Sequence, residues 1–218
     1  MSEPGLVHLV RQPITAQPQP PLLILLHGVG SNEQDLFQLA PQLDPRLLVV
    51  SARAPNMRSP GAYAWFEVQF TPQGPIINPA QAEASRQQLI RFIGEVTEAY
   101  QANPQRVYLM GFSQGAIMSA SIALTAPELV AGAVLMSGRI LPEIKPLIAP
   151  AEALRDLPVL LIHGTHDSVL PIQHGRASHQ LLSSLPLKLS YHEFPIGHTI
   201  SPESLATIQQ WLSHHLDQ

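Results

Sequence analysis

Residues 108–119, YLMGFSQGAIMS, set Ser113 between Gly111 and Gly115 directly after an apolar run. A serine hydroxyl is a weak nucleophile at neutral pH until an adjacent base takes its proton. The setting offers a way to present it. The segment RVYLMGF from Arg106 is apolar enough for a buried strand, QGAIMSASIAL from Gln114 suits a helix, and the Gly-x-Ser-x-Gly turn lies between them. Glycines at 111 and 115 fit a strained turn in which a side chain would collide with neighbouring backbone. The pattern arises by accident in about 5% of chains of this length, so on the motif alone an ordinary glycine-bearing loop with a capping serine stays open.

A serine nucleophile on such a turn requires an acid and a histidine later in the chain, in that order. Asp167, in PVLLIHGTHDSVLP, lies just past the end of a buried-type strand. Asp156 precedes that strand, and Glu128 and Glu203 fall where helix ends are expected. An aspartate before serine is also a common turn residue. Among the ten histidines, His174 and His179 fall in a helical region, His192 inside a strand, and His214 and His215 in the terminal helix. His198, in FPIGHTISP, falls between the last strand and the last helix. Ser113, Asp167 and His198 therefore share one predicted edge of the sheet, which is where the chemistry of such sheets sits.

The glycine-rich turn in LLILLHGVG, residues 22–30, follows another apolar strand. It lacks both the Gly-Lys-Ser/Thr ending of a phosphate loop and the Gly-x-Gly-x-x-Gly pattern, which disfavours nucleotide binding. Beside Ser113 its Val29 N–H would join that of Gln114 to bind an oxyanion, each donor contributing about 3 to 4 kcal/mol to the transition state. The Gln114 side chain has no role at this level. His163, His166 and Asp167 in HGTHD are close together but lack helical His-Glu-x-x-His spacing, so neither a metal nor any other cofactor is expected.

The elements that must carry these residues are legible as an alternation. Strands are expected from Leu6, Leu22, Leu47, Arg106, Val130, Pro158 and Leu187, mostly as continuous apolar blocks, as in a parallel sheet covered on both faces. Asn78-Pro79 and Ser201-Pro202 are helix-start signals, the first opening a stripe of Leu89, Phe92, Ile93, Val96 and Tyr100. The pattern predicts an α/β fold with a mostly parallel central sheet, helices on both faces, and one domain over residues 1–218.

The chain has 218 residues, 22 of them proline and none cysteine, with a net charge of −4 and only 13% charged residues. Disulfides, thiolate metal sites and a cysteine nucleophile are excluded. No basic cluster points to nucleic acid or an anionic membrane. The start carries no basic-then-apolar leader and no run approaches the roughly 18 apolar residues of a membrane span, so a cytoplasmic location is expected. Apolar loops are compatible with a homodimer without requiring one.

Taken in order, LLHGVGSNEQD, YAWFE, VYLMGFSQGAIMS, LLIHGTHDSVLP and GHTISPESL resemble the phospholipase/carboxylesterase branch of the α/β-hydrolase superfamily, including the acyl-protein thioesterases. The resemblance runs from about Leu22 to Leu212. It implies a serine carboxylesterase acting on small acyl esters, with Ser113, Asp167 and His198 as triad, Val29 and Gln114 as oxyanion hole, and Trp65 and Phe66 near the substrate or in the core. Acyl-protein thioesterase or lysophospholipase activity on long chains is the alternative, and a non-catalytic binder on the same fold is the reading from another class. Residues 137–158, SGRILPEIKPLIAPAEALRDLP, match no part of that pattern, and the chain is too short for a large lid domain.

Overall fold

A computed structural model describes residues 4–71 and 74–218. Residues 1–3, part of the stretch in which no leader is expected, lie outside it. The elements are β1 (His8–Arg11), β2 (Leu22–Leu26), α1 (Gln34–Phe37), β3 (Leu48–Ala52), β4 (Asn56–Ser59), β5 (Ala62–Ala64), β6 (Val68–Thr71) and β7 (Gly74–Ile77). They continue with α2 (Pro79–Ala99), β8 (Val107–Phe112), α3 (Gln114–Thr125), β9 (Gly132–Met136), α4 (Ala151–Leu154), β10 (Pro158–Gly164), α5 (Ile172–Ser183), β11 (Lys188–Phe194) and α6 (Pro202–Leu216).

Seven strands form the central sheet in the order β1-β3-β2-β8-β9-β10-β11. Only β1 runs antiparallel, pairing His8 with Ala52. The inner strands are buried on both faces, and alternate residues divide between two cores as the period of two dictates. Leu22, Ile24, Leu26, Leu109, Ala133 and Leu161 face the core shared with Leu89, Phe92 and Val96 of α2 and Ile117 and Ile122 of α3. Leu23, Leu25, Met110, Val134 and Ile162 face the other, with Ile208, Trp211 and Leu212 of α6 and Leu36 of α1. All five leucine and isoleucine side chains of β2 are fully buried, each contributing about 1.5–3 kcal/mol.

The expected helix starts form as read. The Asn78 side chain accepts from Gln81 N–H before Pro79, and Ser201 and Ser204 make a reciprocal capping box before α6. Residues 12–21, QPITAQPQPP, connect β1 to β2 without regular structure.

Two small hairpins, β4–β5 and β6–β7, are absent from the expected pattern. Their strands have three or four residues and are largely half-exposed, so they carry no apolar run to read. The β4–β5 hairpin is tied to the loop after β2. Gly30 N–H donates to the Tyr63 carbonyl at 2.7 Å and Tyr63 N–H to the Ser31 carbonyl at 2.8 Å. The Arg53 guanidinium grips both oxygens of the buried Glu33 carboxylate at 2.6 Å and lies 4.7 Å from the Tyr63 ring centre.

The closest contact in the sheet region lies between β2, β8 and the first turn of α3. A Cβ on Gly115 would sit 1.8 Å from the Leu26 carbonyl oxygen, and one on Gly111 would sit 2.3 Å from the Gly115 carbonyl. Both obstacles are backbone, so no side-chain adjustment relieves them. Gly115→Ala is therefore expected to cost more than about 4 kcal/mol, measured by chemical denaturation or read as loss of soluble protein. An alanine variant of near wild-type stability would contradict this packing.

Hydrogen bonding to Arg53 holds the Glu33 carboxyl below its ordinary value of 4.5. A depressed carboxylate stabilises the fold above the unfolded-state value and loses that contribution as pH falls through the folded one. Thermal melts of wild type should therefore fall more steeply than those of Glu33→Gln on acidification from about pH 5 downward. Parallel pH profiles would remove Glu33 from this role.

Candidate active site

Ser113 occupies the corner between β8 and α3 with φ 54° and ψ −116°. A residue with a Cβ rarely takes this conformation, which costs on the order of 1–3 kcal/mol and persists only where surrounding packing imposes it. The imposing contacts are those of Gly111 and Gly115, together with the Ser113 N–H donating to the Met136 carbonyl at 2.8 Å. The corner aims the hydroxyl away from the helix.

His198 meets it from the loop between β11 and α6. Its Nε2 lies 2.9 Å from Ser113 Oγ and its Nδ1 lies 2.6 Å from Asp167 Oδ2. An ionised carboxylate only accepts, so Nδ1–H donates and Nε2 presents a lone pair to the serine hydroxyl. The Phe112 ring packs on the imidazole with centroids 4.8 Å apart.

Asp167 stands on the turn after β10 with its side chain fully buried. Its Oδ1 accepts from the Val169 N–H at 2.9 Å and the Leu170 N–H at 2.8 Å, leaving Oδ2 for the histidine. Two loops must touch for that bond to form, and Gly164 lets them. A Cβ there would lie 2.4 Å from the Ile196 carbonyl oxygen, and the His166 N–H donates to that same carbonyl at 3.0 Å. His163 braces the turn from below by donating Nε2–H to the Leu170 carbonyl at 2.8 Å. Its other ring nitrogen is buried without a partner among the described residues. The His163, His166 and Asp167 group is thus drawn into building the aspartate turn.

The loop after β2 reaches the serine from the opposite side. A Cβ on Gly28 would lie 3.4 Å from Ser113 Cβ. Among the described residues, neither the Val29 nor the Gln114 N–H donates to another protein group. Gln114 opens α3, where the helix itself leaves its first N–H groups unpaired and favours negative charge. The loop is held by His27, which is fully buried. Its Nδ1–H donates to the Gly28 carbonyl at 2.7 Å and its Nε2 accepts the Ala54 N–H at 3.0 Å. Burial pushes its pKa down, so the ring is a neutral strut.

YAWFE divides in two. The Trp65 ring is fully buried beside His27 and donates its indole N–H to the His27 carbonyl at 3.0 Å. It is a core residue. Phe66 is equally buried in the core and also lines a narrow cleft, open at its mouth, together with Ser113, Gln114, Val29, Ile117 and Leu170. Val68, Pro75 and Ile77 of the β6–β7 hairpin form one further wall and Arg139 another. The Gln114 side chain, which sequence reasoning left without a role, fastens this region. Its Oε1 accepts the Trp65 N–H at 2.7 Å and its Nε2 donates to the Phe66 carbonyl at 2.6 Å. Residues 137–158 split similarly: Arg139 reaches the cleft, while Leu141, Ile144 and Leu154 are buried in the core beneath α3.

A hydroxyl, a lone pair aimed at it, a buried carboxylate behind that ring and two free N–H groups alongside can carry acyl transfer. Comparisons with known proteins agree with this chemistry. A probable carboxylesterase of Oryza sativa subsp. japonica is 28% identical over 215 residues, covering 90% of this chain and 88% of that protein. An acyl-protein thioesterase 1 of Gibberella zeae is 32% identical over 116 residues, spanning 52% of this chain and about half, 49%, of the thioesterase. The crystal structure of esterase PE8 superimposes with a TM-score of 0.83 at 27% identity, covering 96% of this chain and 98% of that one. The phospholipase/carboxylesterase family model matches residues 12–216, and the chain belongs to that family, on an α/β-hydrolase fold.

Proposed function

We propose that this protein is a serine carboxylesterase in which Ser113, Asp167 and His198 form the triad and the Val29 and Gln114 N–H groups form the oxyanion hole. The observation that carries the reading is the pair of bonds to His198, 2.9 Å to Ser113 Oγ and 2.6 Å to Asp167 Oδ2, made by residues 31 and 85 positions apart. His198 Nε2 takes the serine proton as Oγ attacks the ester carbonyl, and the oxyanion faces the two N–H groups. The proton then passes to the departing alcohol, leaving an acyl-serine. Water attacks that ester with His198 again as base, and the carboxylic acid leaves as Ser113 regains its proton. Asp167 fixes the imidazole tautomer and stabilises its cation throughout.

The narrowness of the cleft supports small acyl groups, since it encloses only about 20 Å³ and is otherwise open to solvent. Long-chain thioester hydrolysis is the second reading, favoured by the thioesterase relative. A relative in rice is named a probable inactive carboxylesterase. Against a similar loss here stands the intact bonding of all three side chains. Among the described residues no helix is long and apolar enough to cross a membrane.

With p-nitrophenyl acetate as substrate, Ser113→Ala should lose at least about a thousandfold in kcat while keeping the wild-type melting profile. Undiminished turnover would refute the assignment. A series of ester and thioester substrates should peak at short acyl esters, and a maximum at long-chain thioesters would transfer the function to the second reading.

A further inference from the structure

Arg139 is the unexplained group beside Ser113. β9 ends at Met136, and the next residue, Ser137, takes a positive φ of 50° while donating its N–H to the Ile162 carbonyl at 2.9 Å. That corner lays Gly138 against the start of α3, where a Cβ would sit 2.7 Å from Ala116 Cβ and 3.2 Å from the Ser113 carbonyl oxygen. The backbone thus spends a strained residue and a close contact to bring position 139 into the cleft wall. The Ile140 N–H, donating to Ser178 Oγ at 3.3 Å, pins the chain immediately beyond.

The guanidinium delivered there is half-buried and, among the described residues, has no hydrogen bond and no carboxylate within ion-pairing distance. The arginines at 46, 53, 86, 155 and 176 all have such partners. Glu143 acts on it only at a distance, and burial pushes its pKa down. On its far side a second depression is lined by Lys145 and His174. The His174 ring, whose pKa is pushed down by burial and then by Arg139 itself, is neutral or cationic in any state and supplies no negative charge to pair with it. A half-buried, unpaired cation in the wall of the cleft is free to bind an anion there, and a guanidinium is shaped to take a carboxylate bidentately.

We propose that Arg139 is a specificity residue that binds a carboxylate carried by the substrate a few atoms from the scissile carbonyl, so that the preferred substrates are anionic short-chain esters. The proposal rests on the hydrolase reading of Ser113 and narrows its substrate class. The apolar wall of Phe66, Ile117 and Leu170 would take the intervening carbons, with the carboxylate on Arg139.

Two matched pairs locate the charge, with hydrolysis followed by proton release in a pH-stat. Monoethyl glutarate against ethyl pentanoate places it on the acyl side, and acetoxyacetate against propyl acetate on the alcohol side. In at least one pair wild type should favour the anionic ester in kcat/KM. Arg139→Met should lower that anionic-to-neutral ratio at least about tenfold, and Arg139→Lys should restore part of it. A ratio that Arg139→Met does not move in either pair overturns the proposal. Calorimetry of glutarate binding to Ser113→Ala and to Ser113→Ala/Arg139→Met keeps the two readings separable. Binding abolished by the second substitution supports the subsite even if no ester is turned over, and equal binding or no binding to both counts against it.

Discussion

The structure turns on the contact between the first turn of α3 and the carboxyl ends of β2 and β8. There is no space for a side chain at 111 or 115, so helix and strands meet backbone to backbone. That proximity leaves the connecting residue one way to turn, and Ser113 accepts a conformation that residues with a Cβ avoid. Two features meet at this corner: the hydroxyl is presented to His198, and Gly28 of the loop after β2 lies in contact with the serine.

The rest of the site is assembled onto that corner from chain segments far apart in sequence. The parallel register of β8, β9, β10 and β11 brings their carboxyl ends to one edge, so every loop leaving them starts near Ser113. Gly164 then lets the aspartate and histidine loops touch. His27 and His163 are both buried, both hydrogen-bonded to loop carbonyls, and both precede a glycine at the end of a strand. They brace the two turns on either side of the serine.

Sequence made the strands legible because those buried on both faces appear as unbroken apolar blocks. That Ser113, Asp167 and His198 meet was legible because order along the chain and position at strand ends selected one aspartate and one histidine out of many. The β4–β7 hairpins were not legible, being too short and too exposed to show a period. Trp65 and Phe66 are neighbours of like chemistry, and only the fold reveals that one braces His27 while the other faces the cleft. The Gln114 side chain bonds to backbone groups 48 and 49 residues away, which no local pattern encodes. Arg139 did leave a trace: a lone cation directly after a strand, at the edge that holds Ser113, Asp167 and His198, in a chain with few charges.

The central claim is that the fold activates one serine out of many. Peptide mapping by mass spectrometry after brief treatment with a fluorophosphonate measures this directly, because the reagent reports nucleophilicity without needing the right substrate. The account predicts a single adduct on Ser113 in wild type and none in His198→Ala, the lone pair on Nε2 being what activates the hydroxyl. Labelling spread over other serines, or equal labelling of Ser113 without His198, would contradict it.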